Sequence, residues 1–283
     1  MKQDSSFRSF SLSLVWIWLV LFALLPFALV FVAGFLSHDN DQLLSLPVTL
    51  ANFFQLHHSL YLRIFEKSLW MAGLSTLVCL LLGYPFAYAI ARIQSPIKHF
   101  LILLVIIPFW TSSLIRSYSL IAIVKTKGLL NTLLISLGII SHPLPILFTN
   151  TAVLIGLVYN LLPFMILPIL TNVEQLDNQL IDAARDLGAN RFTTLLRIIL
   201  PLTMPGILAG CILVFLPAMT IFYIPDILGG AKSVLVGNLI QDQFLIAQNW
   251  PFGSAISVVL TILLALLILI YWRSTRGEEQ EWP

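Results

Sequence analysis

The chain has 283 residues, of which 59% are hydrophobic and 10% charged, with a formal net charge of +2 at pH 7. A soluble domain carries about 25% charged residues, so this composition excludes a soluble globular protein. The small net charge, with no run of basic residues, excludes a nucleic-acid partner. Cys79 and Cys211 sit in separate apolar segments and read as small core residues rather than a disulfide pair. His38, His57, His58, His99 and His142 fall in expected loops without an i, i+4 partner, so no metal site is expected.

In chain order, residues 1–12 form a polar tail with Lys2, Asp4 and Arg8. An apolar run over 13–36 follows, with Trp16 and Trp18 placed as interface anchors. It exceeds the apolar core of about 7–15 residues found in a cleaved signal peptide, so it reads as a first membrane span. Residues 37–67 are a polar, mixed loop. The second span is expected over 68–92, with Gly83 and Pro85 inside it, and the third over 100–123, with Arg116 toward its outer end. The stretch 129–140 is apolar but too short to cross a bilayer, which takes about 20 residues, and reads as an interfacial or short packed helix. Further spans are expected over 148–170, 202–224 and 252–272, separated by a loop at 225–251, and residues 273–283 form a polar tail. The expected fold class is an all-α integral membrane protein of six transmembrane helices spanning 13–272. Pro163, Pro168, Pro205 and Pro217 inside spans point to a packed bundle in which neighbouring helices satisfy the freed backbone groups.

One stretch between spans stands apart. Residues 173–201 carry Glu174, Asp177, Asp182, Arg185, Asp186, Arg191 and Arg197 yet keep helical spacing. Leu176, Leu180, Ala183, Ala184 and Leu187 recur on one helical face. Asp177 is placed as an N-cap, Gly188 as a left-handed stop, and Asn190 as the cap of a second helix bearing Phe192, Leu195, Leu196 and Ile199. The pair Ala183–Ala184 is small enough for another backbone to approach. Two short amphipathic helices joined at a glycine make a docking element.

Asp182-Ala183-Ala184, then Gly188 after three residues, then Ile198-Ile199-Leu200-Pro201 after nine more, resembles the cytoplasmic loop motif of ABC importer permeases, with Asp182 where Glu is usual. That resemblance implies a type I ABC importer permease fold in which this loop is the coupling helix docking on an ATPase. Asp182, Ala183, Ala184, Arg185, Asp186, Gly188, Ala189 and Pro201 would then be the ATPase-coupling residues. The wider segments GYPFAYAIA (83–91), IPFWTSSLIRSYS (107–119), GLVYNLLPFMILP (156–168), LPLTMPGILAG (200–210) and NWPFGSA (249–255) resemble permease subunits of spermidine/putrescine ABC importers. The implied partners are an ABC ATPase dimer, a second homologous permease, a periplasmic polyamine-binding protein and membrane lipid. ATP and Mg belong to the partner ATPase, with no cofactor expected in this chain. The implied location is the bacterial inner membrane. An importer for another small solute shares the loop motif and is the alternative reading.

Orientation follows from charge. With both termini in the cytoplasm, that side holds Lys2, Arg8, Arg92, Lys98, Arg185, Arg191, Arg197, Arg273 and Arg276. The opposite side holds Arg63, Lys67, Lys125, Lys127 and Lys232. The positive-inside rule favours this arrangement, and it puts the docking loop where ATP is.

Rival chemistries lack their residues. No histidine and no carboxylate pair falls within an expected span, which leaves an intramembrane protease without a catalytic set. No Walker A, H-E-x-x-H or G-x-S-x-G sequence occurs, so the chain is expected not to be an enzyme, and hydrolysis to occur in a partner. A self-contained carrier would place ionisable groups near the midplane, and only Arg116 is a candidate, either snorkelling or pairing with Asp226. A polycation wants aromatic faces and a carboxylate, for which Trp110, Tyr118, Tyr159, Tyr223 and Asp226 are the available path residues. Tyr223 and Asp226 share a face if the fifth span's helix continues through them. A potential of 100 mV favours entry by about 2.3 kcal/mol per positive charge, so energetics alone would permit a channel.

Overall fold

A computed structural model describes residues 3–39, 42–93, 95–230 and 233–276. In chain order the helices are α1 (Gln3–Leu19), α2 (Leu25–Ala33), α3 (Ala51–Gln55), α4 (Ser59–Arg92), α5 (Ile97–Ile106), α6 (Ser113–Val124) and α7 (Leu129–Ser136). They continue as α8 (Asn150–Glu174), α9 (Asn178–Asp186), α10 (Arg191–Thr194), α11 (Leu200–Leu202), α12 (Met204–Thr220), α13 (Val236–Leu245) and α14 (Trp250–Arg276). A two-stranded antiparallel hairpin, β1 (Ser37–Asp39) and β2 (Gln42–Ser45), interrupts them. Among the described residues five helices are long and apolar enough to cross a membrane, or six if the bent pair Arg191–Leu202 and Met204–Thr220 counts as one span. The chain divides into two compact units, residues 1–62 with 239–271 and residues 63–238 with 272–283.

In the first unit, a π turn at Val20–Leu24 joins α1 to α2. None of the most apolar residues of Ser11–Ala33 is buried against this chain, and Trp16, Phe22 and Phe27 are exposed. The end of α2 is held by the buried Asn52, whose Nδ2 donates to Gly34 O at 3.0 Å and Leu36 O at 2.8 Å. Gly34 is the C-cap of α2, so its carbonyl is one that the helix end would otherwise leave unpaired. Phe35 stacks between Phe31 and Phe53 at centroid distances of 5.3 and 4.8 Å. A Cβ on Gly34 would lie 3.2 Å from Ala255 N, so the glycine lets α2 approach α14 backbone to backbone.

The second unit is built around α8, more than half of whose most apolar window is buried. Its neighbour α12 packs along it through Gly206 and Gly210, a small-xxx-small spacing that lets helices in lipid approach closely. A Cβ at Gly206 would stand 2.9 Å from Pro168 O, and one at Gly210 would stand 3.1 Å from Met165 O. At the other end of α8, Gly156 receives Ile224 and Leu228 from a π turn at Pro225–Gly229.

Several expected elements change shape. The span expected over 100–123 is not continuous. After α5 a 3-10 turn over Ile107–Trp110 ends at Thr111, whose N–H and hydroxyl both donate to Pro108 O, and an extended Ser112 restarts the chain as α6. At the start of the fifth expected span, Arg191–Leu202 and Met204–Thr220 meet at a 66° bend around Thr203, between Pro201 and Pro205. The second begins earlier than expected, at Ser59 rather than at 68. His99, expected in a loop, lies within α5. Residues 129–140 hold the eight-residue helix α7.

Candidate functional site: the docking loop and the α6–α8 cavity

The loop that follows α8 is defined by three caps. Asp177 Oδ1 accepts from Gln179 N at 2.9 Å and starts α9. Gly188 adopts φ +82 at its far end, where its N–H donates to Arg185 O at 2.9 Å and Ala189 N donates to Ala184 O at 3.0 Å. That pair of bonds is the Schellman arrangement, which closes a helix on its last carbonyls and needs a left-handed residue. Asn190 Oδ1 then accepts from Thr193 N at 2.8 Å and starts α10. These are the three positions that the spacing of polar residues and glycine predicts.

The loop is also tied at both ends. Lys98 Nζ lies 2.9 Å from Glu174 Oε1, joining the end of α8 to the start of α5. At the bend, Tyr84 Oη and Thr203 Oγ1 share a hydrogen bond of 3.1 Å. Between them a π turn at Leu195–Ile199 carries α10 into α11.

The apolar stripe expected on α9 divides between the two sides of the helix. Ile181, absent from the expected set, is buried together with Ala184 where α9 rests on the π turn and α10. Leu180, Ala183 and Leu187 point outward, with Phe192 and Leu196 also exposed. Ala184 is therefore small because its own chain packs on it, and only Ala183 of the alanine pair is open to a partner. Asp182, Arg185, Asp186 and Pro201 are exposed and Ala189 is half-buried. Arg185 and Asp182 form an ion pair at 3.3 Å, worth little at so open a position.

The five residues expected along a path do not converge. Trp110, Tyr118 and Tyr159 are exposed on the 3-10 turn, α6 and α8 respectively. Tyr223 and Asp226 lie beyond the end of α12, because an extended Ile221 stops that helix before it reaches them. Asp226 Oδ1 accepts from Asn238 Nδ2. Among the described residues the ion pairs are Lys98–Glu174 and Arg185–Asp182, so Arg116 and Asp226 do not form one.

A cavity of about 400 Å³ does lie in the second unit, lined by Phe109, Thr111, Arg116, Asn160, Phe164 and Tyr223 among others. Of the expected path set only Tyr223 reaches it. Asn160, an amide in the middle of an apolar span beside Tyr159, is the signal that the sequence reading passed over.

The sequence profile described as the binding-protein-dependent transport system inner membrane component matches residues 80–276. The chain belongs to that family. Among its relatives, the spermidine/putrescine transport system permease protein PotB of Haemophilus influenzae is 50% identical over 273 residues, covering 96% of both chains. The PotB of Escherichia coli K12 is 50% identical over 259 residues, covering 92% of this chain and 94% of that one. In fold this inner membrane component is similar to a chain of the bacterial alginate ABC transporter, crystallised with its alginate pentasaccharide-bound periplasmic protein. The TM-score is 0.80 over 99% of this chain and 96% of that one, at 17% identity. The family and the apolar helices make this a multi-pass inner membrane transport component of the ABC importer permease fold.

Proposed function

We propose that this chain is one of the two permease subunits of an ATP-driven spermidine/putrescine importer. The observation that carries the substrate is the 50% identity with relatives named for spermidine/putrescine transport, sustained over 96% of both chains. The alginate transporter shares the fold at 17% identity, so architecture alone does not select the solute.

In this reading both termini are cytoplasmic, and an ABC ATPase dimer docks on residues 173–201. Asp182, Ala183, Arg185 and Asp186 meet the ATPase directly, while Ala184, Gly188, Ala189 and Pro201 hold the loop in shape. The exposed Leu180, Leu187 and Phe192 supply the apolar anchor that a helix-in-groove contact needs. ATP and Mg reside in that partner. A periplasmic polyamine-binding protein delivers the cargo, and a second permease completes the path with Trp110, Tyr118, Tyr159, Tyr223 and Asp226 from this side. Closure of the ATPase dimer pushes α9 as a lever, and the 66° bend at Thr203 passes that motion to α12.

Competition tests the substrate. In cells expressing the complete importer and lacking other polyamine uptake, excess unlabelled spermidine or putrescine should cut labelled spermidine entry at least tenfold. Phosphate, an amino acid or an oligosaccharide should leave it unchanged. No saturable polyamine entry would sink the substrate assignment.

A further inference from the structure

The cavity between α6, α8 and the end of α12 is lined by two residues, each carrying a buried polar atom that no described residue satisfies. Asn160 is 3% exposed. Its orientation is set by its donors, since Nδ2 donates to Gly156 O at 2.9 Å and to Ser117 Oγ at 3.4 Å. The Ser117 hydroxyl donates onward to Ser113 O at 2.8 Å, so it offers Asn160 a lone pair and not a proton. Both amide donors are thus accounted for, while the acceptor Oδ1 is buried without a hydrogen-bond partner. Arg116 lines the same cavity, and its Nε is buried and unpartnered as well.

A buried acceptor without a donor is unfavourable, and a donor group relieves that. The other lining groups define that donor's surroundings. Thr111 and Tyr223 contribute hydroxyls, and Phe109 and Phe164, edge to face at 5.0 Å, contribute ring surface for methylenes and cations. The volume lies within the range of about 300–1,000 Å³ typical of small-ligand sites. Among the described residues no carboxylate lines it, and Arg116 supplies a like charge, so an ammonium would be received and not held.

We propose that this cavity is a transit station for an amine, in which Asn160 Oδ1 accepts from one ammonium group and Arg116 limits how long it stays. The inference rests on the polyamine reading of the importer. Neither orphaned atom is exposed in this conformation, so the station opens when α6 and α8 part. Its acceptor then stabilises the occupied, moving state over the closed one.

The test uses the complete importer, with both permeases, ATPase and binding protein, reconstituted in proteoliposomes with labelled spermidine. Asn160→Leu should lower spermidine moved per ATP hydrolysed about tenfold, the equivalent of about 1.4 kcal/mol. Arg116→Gln, at a half-exposed position where folding is less at risk, should tighten direct spermidine binding to the purified complex without binding protein. The expected change in Kd is also about tenfold, because removing Arg116 removes a like charge from the wall of the same cavity. An unchanged coupling ratio in Asn160→Leu, or unchanged or weaker binding in Arg116→Gln, would overturn the station while leaving the polyamine importer standing. Absence of spermidine transport by the parent complex would overturn both.

Discussion

Gly188→Val should reduce ATP-coupled uptake by about thirtyfold or more, whereas Gly188→Asn should stay within about threefold of the parent. No atom lies within 4 Å of a Cβ built on Gly188, so there is ample space for either side chain. The difference is in the backbone. At φ +82 an L-residue pays roughly 1–2 kcal/mol, a β-branched one more, and asparagine least. Valine would pull the residue out of the left-handed region and break the bonds from Gly188 N to Arg185 O and from Ala189 N to Ala184 O. The last turn of α9 would fray, and the cap at Asn190 would lose its position. A cost of about 2 kcal/mol corresponds to about thirtyfold. Uptake and recovery of the ATPase from detergent extracts report the effect together. Equal activity for valine and asparagine would mean that the loop's shape does not matter.

The second large effect concerns the outward face of the same loop. Leu187 is 89% exposed and Phe192 is 69% exposed, both apolar side chains in a polar segment that the rest of the chain does not cover. Leu187→Asp and Phe192→Asp should each weaken ATPase binding by about 2 kcal/mol or more, as anchors at interface centres do, which is about thirtyfold. Stability of the isolated chain should move by no more than about 0.5 kcal/mol, because nothing within it is lost. Ala184→Glu should behave differently. Ala184 is only 6% exposed, so a carboxylate there is buried unpaired and lowers melting temperature and ATPase recovery together. Thermal melts beside co-purification separate the two classes. Loss of stability in Leu187→Asp equal to that in Ala184→Glu would place Leu187 in the chain's own packing.

The parts of this loop that were legible in the sequence are those decided within a few residues. Asp177 and Asn190 cap because their side chains reach backbone N–H groups two or three positions ahead. Gly188 stops α9 because it alone accepts a positive φ without strain. The inward face of α9 was not legible. Ile181 and Leu180 are adjacent and equally apolar, and contact with the π turn after α10 decides between them. The break at Thr111 had the same character. Pro108, Thr111 and Ser112 are tolerated in a continuous helix, and only the geometry shows that Thr111 turns back to Pro108 O. Asn160 was readable as a polar residue in an apolar span, but its meaning depends on Ser117 and Gly156 consuming both donors. Trp110, Tyr118, Tyr159, Tyr223 and Asp226 were selected for chemistry suited to a polycation, which says nothing of contacts between them, and in the structure they lie on separate elements.

Separating ATP coupling from simple electrical attraction needs a single measurement. A potential of 100 mV draws a polycation inward by about 2.3 kcal/mol per charge, so uptake by itself does not establish a pump. Spermidine entry should be followed in proteoliposomes holding the complete importer, with the potential clamped at zero and ATP supplied or withheld on the ATPase side. An ATP-coupled permease accumulates spermidine against its gradient with ATP and transports none without it. Entry without ATP that scales with an imposed potential would contradict the account and make this chain part of a channel.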